Sequence, residues 1–336
     1  MYNKKLKHIL SLAIASITAS GIGSNFVRAD EKPKVVTSHN VICDLVQTIA
    51  EETIDLTCLI GKNQDPHTYR PTPQERKALE EAQLIFYGGY ELEPRIVELI
   101  EGIETPKIAI YEQVVTEPIM AKHEDHEDHE DHEDHEDHED HEDHEDHEDH
   151  EKSELEPDPH VWHNVENTVA MVEQIRAIFL QLNPTQAEQY LVNSVTLSEQ
   201  LWQLDAWIKD QLDTIPEGQR ILVTTHNSLN YYALAYNFDD YLNLQGLSNE
   251  AAPTASQVKD LSAKIKQVGV PVIFAESTAS DRVIKNVARA ADAKLSPTEL
   301  YADGLGEAEN YIKMMSHNTC AIVDGLGGEC QPFEVQ

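Results

Sequence analysis

The sequence predicts an α/β protein built as two α/β halves on either side of a purely helical middle. Short β-rich runs alternate with amphipathic helical stretches over residues 34–111 and again after residue 218. That spacing indicates βαβ units and a parallel sheet in each half. Between residues 185 and 215 neither proline nor glycine interrupts a run that places Leu197, Leu201, Leu204, Ile208, Leu212 and Ile215 at helical spacing. At 1.5 Å per residue this predicts one rigid helix of roughly 30 residues, about 45 Å long. A chain of 336 residues is also long enough for two cores of ordinary size.

In chain order, Lys34–Thr37 reads as a strand, Asn40–Glu51 as a helix, Ile54–Ile60 as a strand and Thr72–Ala82 as a helix. Leu84–Tyr87 is a third strand ending at Gly88-Gly89, Glu93–Glu101 a helix and Ile108–Tyr111 a fourth strand. The long helix has a start signal in Asn183-Pro184-x-Gln186: a capping acceptor, a first-turn proline and a glutamine three residues past the cap. Tyr190, Trp202 and Trp207 on it read as core or groove contacts. In the second half, strands are expected at Ile221–Thr224, Tyr241–Gln245 and Pro271–Ala275. Helices are expected at Ser228–Tyr236, Thr254–Val268, Asp281–Ala291 and Glu307–Asn318. The organisation is then a leader at 1–29, a first lobe at 30–182, a connecting helix at 183–217 and a second lobe at 218–336.

The leader carries Lys4, Lys5 and Lys7, an apolar Ile9–Ile22 stretch, and Val27-Arg28-Ala29 before Asp30. This is the pattern of an export signal cleaved near Ala29. The apolar run is too short and too rich in Ser, Thr and Gly to span a bilayer. No cysteine lies near the cleavage site. A periplasmic monomer without a membrane anchor is expected. Export permits disulfides. Pairing the four cysteines by proximity gives Cys43–Cys58 and Cys320–Cys330, although four cysteines allow three connectivities. A four-cysteine zinc site would lack the usual C-x-x-C pair.

The net charge of −36 argues against nucleic acid, whose phosphates demand a basic surface. Much of that charge sits in one tract from His123 to Glu151, where His-Glu-Asp repeats nine times before His150 and Glu151. Its imidazoles are His123, His126, His129, His132, His135, His138, His141, His144, His147 and His150. The segment 119–157 reads as a solvated loop, too poor in apolar residues to fold. A plain acidic linker has no need of histidine at every third position, and neutral imidazole is the commonest ligand for zinc, copper and nickel. The tract is expected to be an accessory, low-affinity zinc collector or sensor, because a flexible repeat cannot pre-form a tetrahedron.

A tight site is expected elsewhere. His67 lies in Asp65-Pro66-His67-Thr68-Tyr69-Arg70-Pro71-Thr72-Pro73, directly after the second strand, and His160 in a second Asp-Pro-His, Asp158-Pro159-His160-Val161-Trp162. His226 follows the strand Ile221–Thr224. In open α/β sheets ligands bind beyond the carboxyl ends of the strands, where such loops converge. Zinc prefers four ligands. Asp303, in a glycine-rich loop before the last helix, is the fourth candidate, and Glu276, just after Pro271–Ala275, is its competitor or a residue that orients a ligand. His39 is expected to be a bystander near the cleft and His163 a solvent-facing residue at a helix start.

These motifs together resemble the zinc-uptake members of bacterial solute-binding protein family 9, the binding components of ABC metal importers. The resemblance covers essentially the whole mature chain. It rests on Asp65-Pro66-His67-x-Tyr69-x-Pro71-Thr72, Asp158-Pro159-His160-Val161-Trp162, Thr225-His226, Glu250-Ala251-x-Pro253-Thr254 and Tyr301-x-Asp303. It implies two lobes, each with a four-stranded parallel sheet, joined by one long helix, with metal in the cleft between them. It implies His67, His160, His226 and Asp303 as ligands of a transported Zn2+, an ABC-importer membrane permease as partner, and no catalysis. In the manganese importers of the family the position matched by His226 is a glutamate. The rival readings are an exported zinc hydrolase with Glu276 as general base, and a zinc buffer or chaperone without a permease. No His-Glu-x-x-His helix supports the hydrolase.

Overall fold

The computed structural model describes residues 32–122 and 155–335. The expected leader and all ten histidines of the repeat lie outside the described residues.

The N-terminal half runs β1 (Lys34–Thr37), α1 (Asn40–Ala50), β2 (Asp55–Cys58), α2 (Pro73–Glu81), β3 (Leu84–Tyr87), α3 (Pro94–Glu101) and β4 (Lys107–Ala109). The four strands pair in parallel in the order β2-β1-β3-β4. Successive side chains of the central strands point to opposite faces. Val35, Leu84 and Phe86 meet α1 and the middle helices, while Val36 and Ile85 meet Leu79 of α2 and Ile96 and Ile100 of α3. Helix α2 opens on a capping box: Glu75 N donates to Thr72 Oγ1 at 3.3 Å and Thr72 N donates to Glu75 Oε2 at 2.6 Å. The fourth strand is shorter than expected. It stops at Ala109, and Ile110–Val114 form a short helix, α4, that seats Ile110 and Tyr111 in the core.

The loop expected over 119–157 is structured at both ends. Strands β5 (Met120–Lys122) and β6 (Leu155–Pro157) pair antiparallel, so the repeat springs from a narrow two-stranded root. Helices α5 (Val165–Leu182) and α6 (Ala187–Leu212) follow. The connecting helix has 26 residues rather than roughly 30. At its start Pro184–Gln186 form a separate 3-10 turn, and Asn183 Oδ1 accepts from Thr185 Oγ1 at 2.6 Å instead of capping the helix. At its end Thr214 N and Ile215 N bond back three residues, tightening the last turn before Pro216. Tyr190 is buried, but Trp202 is 48% exposed on the outer face, contrary to expectation.

The C-terminal half comprises β7 (Ile221–Thr224), α7 (Asn230–Ala235), β8 (Asp240–Asn243), α8 (Ala255–Val268), β9 (Val272–Ile273), α9 (Asp281–Ala291), β10 (Lys294–Leu295) and α10 (Tyr311–Gly325). Its parallel pairs β7–β8 and β9–β10 meet through Phe274 N and Val223 O at 2.9 Å. The second half therefore holds two two-stranded parallel sheets touching at that bond, where a single four-stranded sheet like the first was expected. The last helix starts later than expected because Asn310 caps it, its Oδ1 accepting from Lys313 N at 2.9 Å. The apolar stripe of α6 lies in one cluster with Val35 and Phe86 of the first half and Leu222 and Phe274 of the second, so the halves share a core. Cys43 is joined to Cys58 and Cys320 to Cys330. No helix among the described residues is long and apolar enough to cross a membrane.

Candidate metal centre

The two Asp-Pro-His loops fold by the same local chemistry. His67 N donates to Asp65 Oδ1, and His160 N to Asp158 Oδ1, both at 2.9 Å. Each is an Asx turn with proline fixing the residue between. Asp158 Oδ1 also accepts from the His160 ring Nδ1 at 2.8 Å, while Asn230 Nδ2 donates to Asp158 Oδ2 at 2.9 Å. With Nδ1 donating, His160 Nε2 is left with a free lone pair. Glu276 treats His226 alike. Its Oε2 takes His226 Nδ1, and its Oε1 accepts from Thr225 N at 3.0 Å and His226 N at 3.1 Å. Glu276 therefore orients a histidine, and its oxygens are committed to that task.

The loops converge on one point. One ligand atom each from His67, His160, His226 and Asp303 lies within 4.8 Å of the other three. His67 Nε2 is 3.3 Å from His160 Nε2, and Asp303 Oδ1 lies 3.6, 3.5 and 3.1 Å from the Nε2 atoms of His67, His160 and His226. A zinc tetrahedron with bonds of about 2.0–2.1 Å has edges of about 3.3 Å. His160, His226 and Asp303 are buried, and His67 is 7% exposed at the edge of the cluster. Among the described residues His226 Nε2 and Asp303 Oδ1 are buried without a hydrogen-bond partner. Buried polar atoms are rarely left so, and a shared cation would satisfy both. Asp303 Oδ2 accepts from the Thr278 hydroxyl, leaving a single carboxylate oxygen for the cluster.

Burial disfavours charge here, yet the ionic partners prevail. Burial opposes a proton on His226, but Glu276 and Asp303 outweigh it and hold that pKa well above the ordinary value. Burial likewise opposes charge on Asp303, and His226, His160 and His67 overcome it, keeping the carboxyl well below the usual range. Outside the cluster, a cleft of about 460 Å³ reaches His67 between Glu91, Glu156 and Glu250, with Pro157 at the root of the repeat on its rim.

His163 is not the solvent-facing residue expected at the helix start. It is fully buried, with Nε2 donating to Ala302 O at 2.8 Å. Burial lowers its pKa to about 3. His39 is also fully buried, both ring nitrogens engaged, by the Tyr111 hydroxyl at 2.6 Å and by Asp303 O at 3.0 Å. Asp158, two residues before the candidate ligand His160, orients that ring, a role not expected from the sequence although both residues share one motif.

A family model described as zinc-uptake complex component A, periplasmic (ZnuA) matches residues 35–325. The chain is 28% identical over 330 residues to the manganese-binding lipoprotein MntA of Halalkalibacterium halodurans, covering 96% of this chain and 99% of that protein. It is 28% identical over 326 residues to the zinc-binding protein TroA of Treponema pallidum, covering 95% and 96% of the two chains. The solved structure of the periplasmic zinc-binding protein TroA from Treponema pallidum superposes with a TM-score of 0.73 at 27% identity, over 88% of this chain and 99% of that one.

Proposed function

The chain belongs to the zinc-uptake complex component A family, and on that footing we propose that it is the zinc-capturing, substrate-binding component of an ABC importer. It binds a metal ion as cargo and passes it to a membrane permease; it is a binding protein and not an enzyme. Export through the leader, cleaved near Ala29, would place it in the periplasm.

The observation that carries zinc is the donor set. Three imidazole nitrogens and one carboxylate oxygen sit at separations close to the edges of a zinc tetrahedron. Thr278 occupies the other Asp303 oxygen, which opposes the bidentate, oxygen-rich coordination that suits manganese. Relatives are named for manganese as well as zinc, so the choice falls to these donors. A closed set of four leaves no position for a reacting water, and Glu276, the general base of the hydrolase reading, is committed to His226. The repeat would collect or sense zinc beside the cleft.

The test uses a protein lacking the repeat. Titration calorimetry should find one tight zinc equivalent, with manganese bound far more weakly, and His226→Ala should abolish the tight equivalent. Retention of that equivalent in His226→Ala, or a preference for manganese in the parent, would refute the zinc assignment.

A further inference from the structure

The loop carrying Asp303 is fastened at its base to its own half of the molecule and at its tip to the other half. At the base, Leu300 N donates to Ala275 O at 2.9 Å and Tyr301 N to Asn318 Oδ1 at 2.8 Å. At Ala302, Asp303 and Leu305 the backbone's partners come from the N-terminal half, His163 among them from the 3-10 turn Val161–His163 before α5. His163 Nε2 donates to Ala302 O at 2.8 Å, His39 Nε2 to Asp303 O at 3.0 Å, and Leu305 N to Asn40 Oδ1 at 2.9 Å. A carbonyl can only accept, so both imidazoles carry their hydrogen on Nε2. His39 Nδ1 is then the acceptor for the Tyr111 hydroxyl. The Trp162 ring lies between the two histidines, its centroid 4.6 Å from His39 and 5.3 Å from His163, so neither ring can swing freely.

The geometry of these bonds is specific to Asp303. The Ala302 carbonyl belongs to the peptide before the Asp303 Cα, and the Asp303 carbonyl to the peptide after it. Two histidines thus hold the two peptide planes whose dihedrals set the direction of the Asp303 side chain. Gly304 completes the arrangement: its φ is +146°, and a Cβ there would come within 2.4 Å of Asn40 Oδ1.

We infer that His39 and His163 are positioning residues of the metal centre, aiming the Asp303 carboxylate from the opposite half of the chain. This rests on the reading of Asp303 as a ligand. Metal capture is thereby coupled to contact between the halves: Thr278 of the same half holds one oxygen of the carboxylate, but the backbone on either side of Asp303 is fixed only when His39 and His163 meet the loop.

The test is made on the full mature chain, with zinc affinity of the tight site measured against a chelator that keeps free zinc too low to fill the repeat. His39→Leu and His163→Leu remove the donors and should each weaken the tight site by about 10- to 100-fold, as loss of a ligand-orienting partner typically does. His39→Gln and His163→Gln, which retain an N–H, should recover most of that affinity. In an Asp303→Asn background the leucine substitutions should cost no further affinity, because their effect passes through the carboxylate. An equal loss in both backgrounds, or unchanged affinity in the leucine variants while Asp303→Asn is weak, overturns the positioning role alone. Tight zinc binding by Asp303→Asn itself fells the ligand assignment and this inference with it. Should a leucine variant fail to fold, His39→Asn or His163→Asn, whose amides stop short of the two carbonyls, takes its place with the same expected and overturning results.

Discussion

Glu276 is fully buried and spends both oxygens on two adjacent residues, taking His226 Nδ1 and the Thr225 and His226 N–H groups. Replacing it with glutamine puts an amide N–H against a donor it must now face. Zinc affinity in Glu276→Gln should fall by about 10- to 100-fold. The pH dependence should change with it. In the metal-free protein Glu276 and Asp303 keep a proton on His226 well above the usual range, so zinc captured near neutral pH must displace that proton. Affinity then climbs with rising pH, by up to about tenfold per unit for each proton displaced, until the raised pKa is passed. The raised pKa stabilises the metal-free fold fully below the ordinary histidine value, and that contribution fades as pH rises through the folded value. Without the Glu276 charge the climb should level off at lower pH; chelator competition across a pH series measures it, and an unchanged affinity and slope would remove Glu276 from the orienting role. At this scale, legibility follows sequence distance. The Asp-Pro-His turns bond over two residues and could be read directly. The partner of His163 is the Ala302 carbonyl, 139 positions away, and nothing near His163 announces it.

Element boundaries show the same division between local and distant causes. Helix α8 starts where Thr254 and Gln257 form a capping box, and α9 matches its expected Asp281–Ala291, because these start signals are local. Strands β5 and β6 escaped notice because each has three residues and its partner lies beyond the repeat. The last helix was expected too early because Glu307–Asn310 had helical composition, whereas the glycine loop before them extends to the cap at Asn310. Gly304 in that loop and Gly269 at the end of α8, both with positive φ, make a contrast. Gly304→Ala puts a Cβ against Asn40 in a backbone conformation L residues rarely adopt, and should destabilise by about 1–3 kcal/mol while loosening zinc. Gly269→Ala, at the left-handed end of α8 with nothing within 4 Å of the new Cβ, should cost about 1 kcal/mol and leave zinc affinity alone. Thermal unfolding and zinc competition on the pair separate the effects; equal zinc affinity in both variants would mean the loop tolerates displacement of Asp303.

For the molecule as a whole, alternating strands and helices made two α/β halves legible, but not that they share a core. Sharing depends on which helical faces meet, and α6, with Leu201, Leu204 and Ile208 in the common cluster, packs against α1 and α5 on one side and α10 on the other. The division of labour between cleft and repeat also belongs to this scale. Lys122 on β5 stands directly opposite Leu155 on β6. A two-residue Asn-Gly turn in place of residues 123–154 would therefore close a hairpin in the existing register. The shortened protein keeps Pro157 at the cleft rim and Asp158 on His160, so the four donors retain their supports. It also loses a block of like charge whose self-repulsion opposes compactness, so metal-free stability should hold or rise slightly. Calorimetry on the parent should show one tight zinc equivalent followed by about two to four weak ones, because ten histidines spaced along a repeat can supply only a few incomplete coordination shells. The weak ones should disappear in parallel as pH drops below about 6, where unperturbed imidazoles protonate. In the shortened protein the tight equivalent should remain at unchanged affinity with the weak phase absent. Loss of the tight equivalent would mean that the repeat contributes to the site itself, and persistence of the weak phase would place those ions elsewhere on the acidic surface.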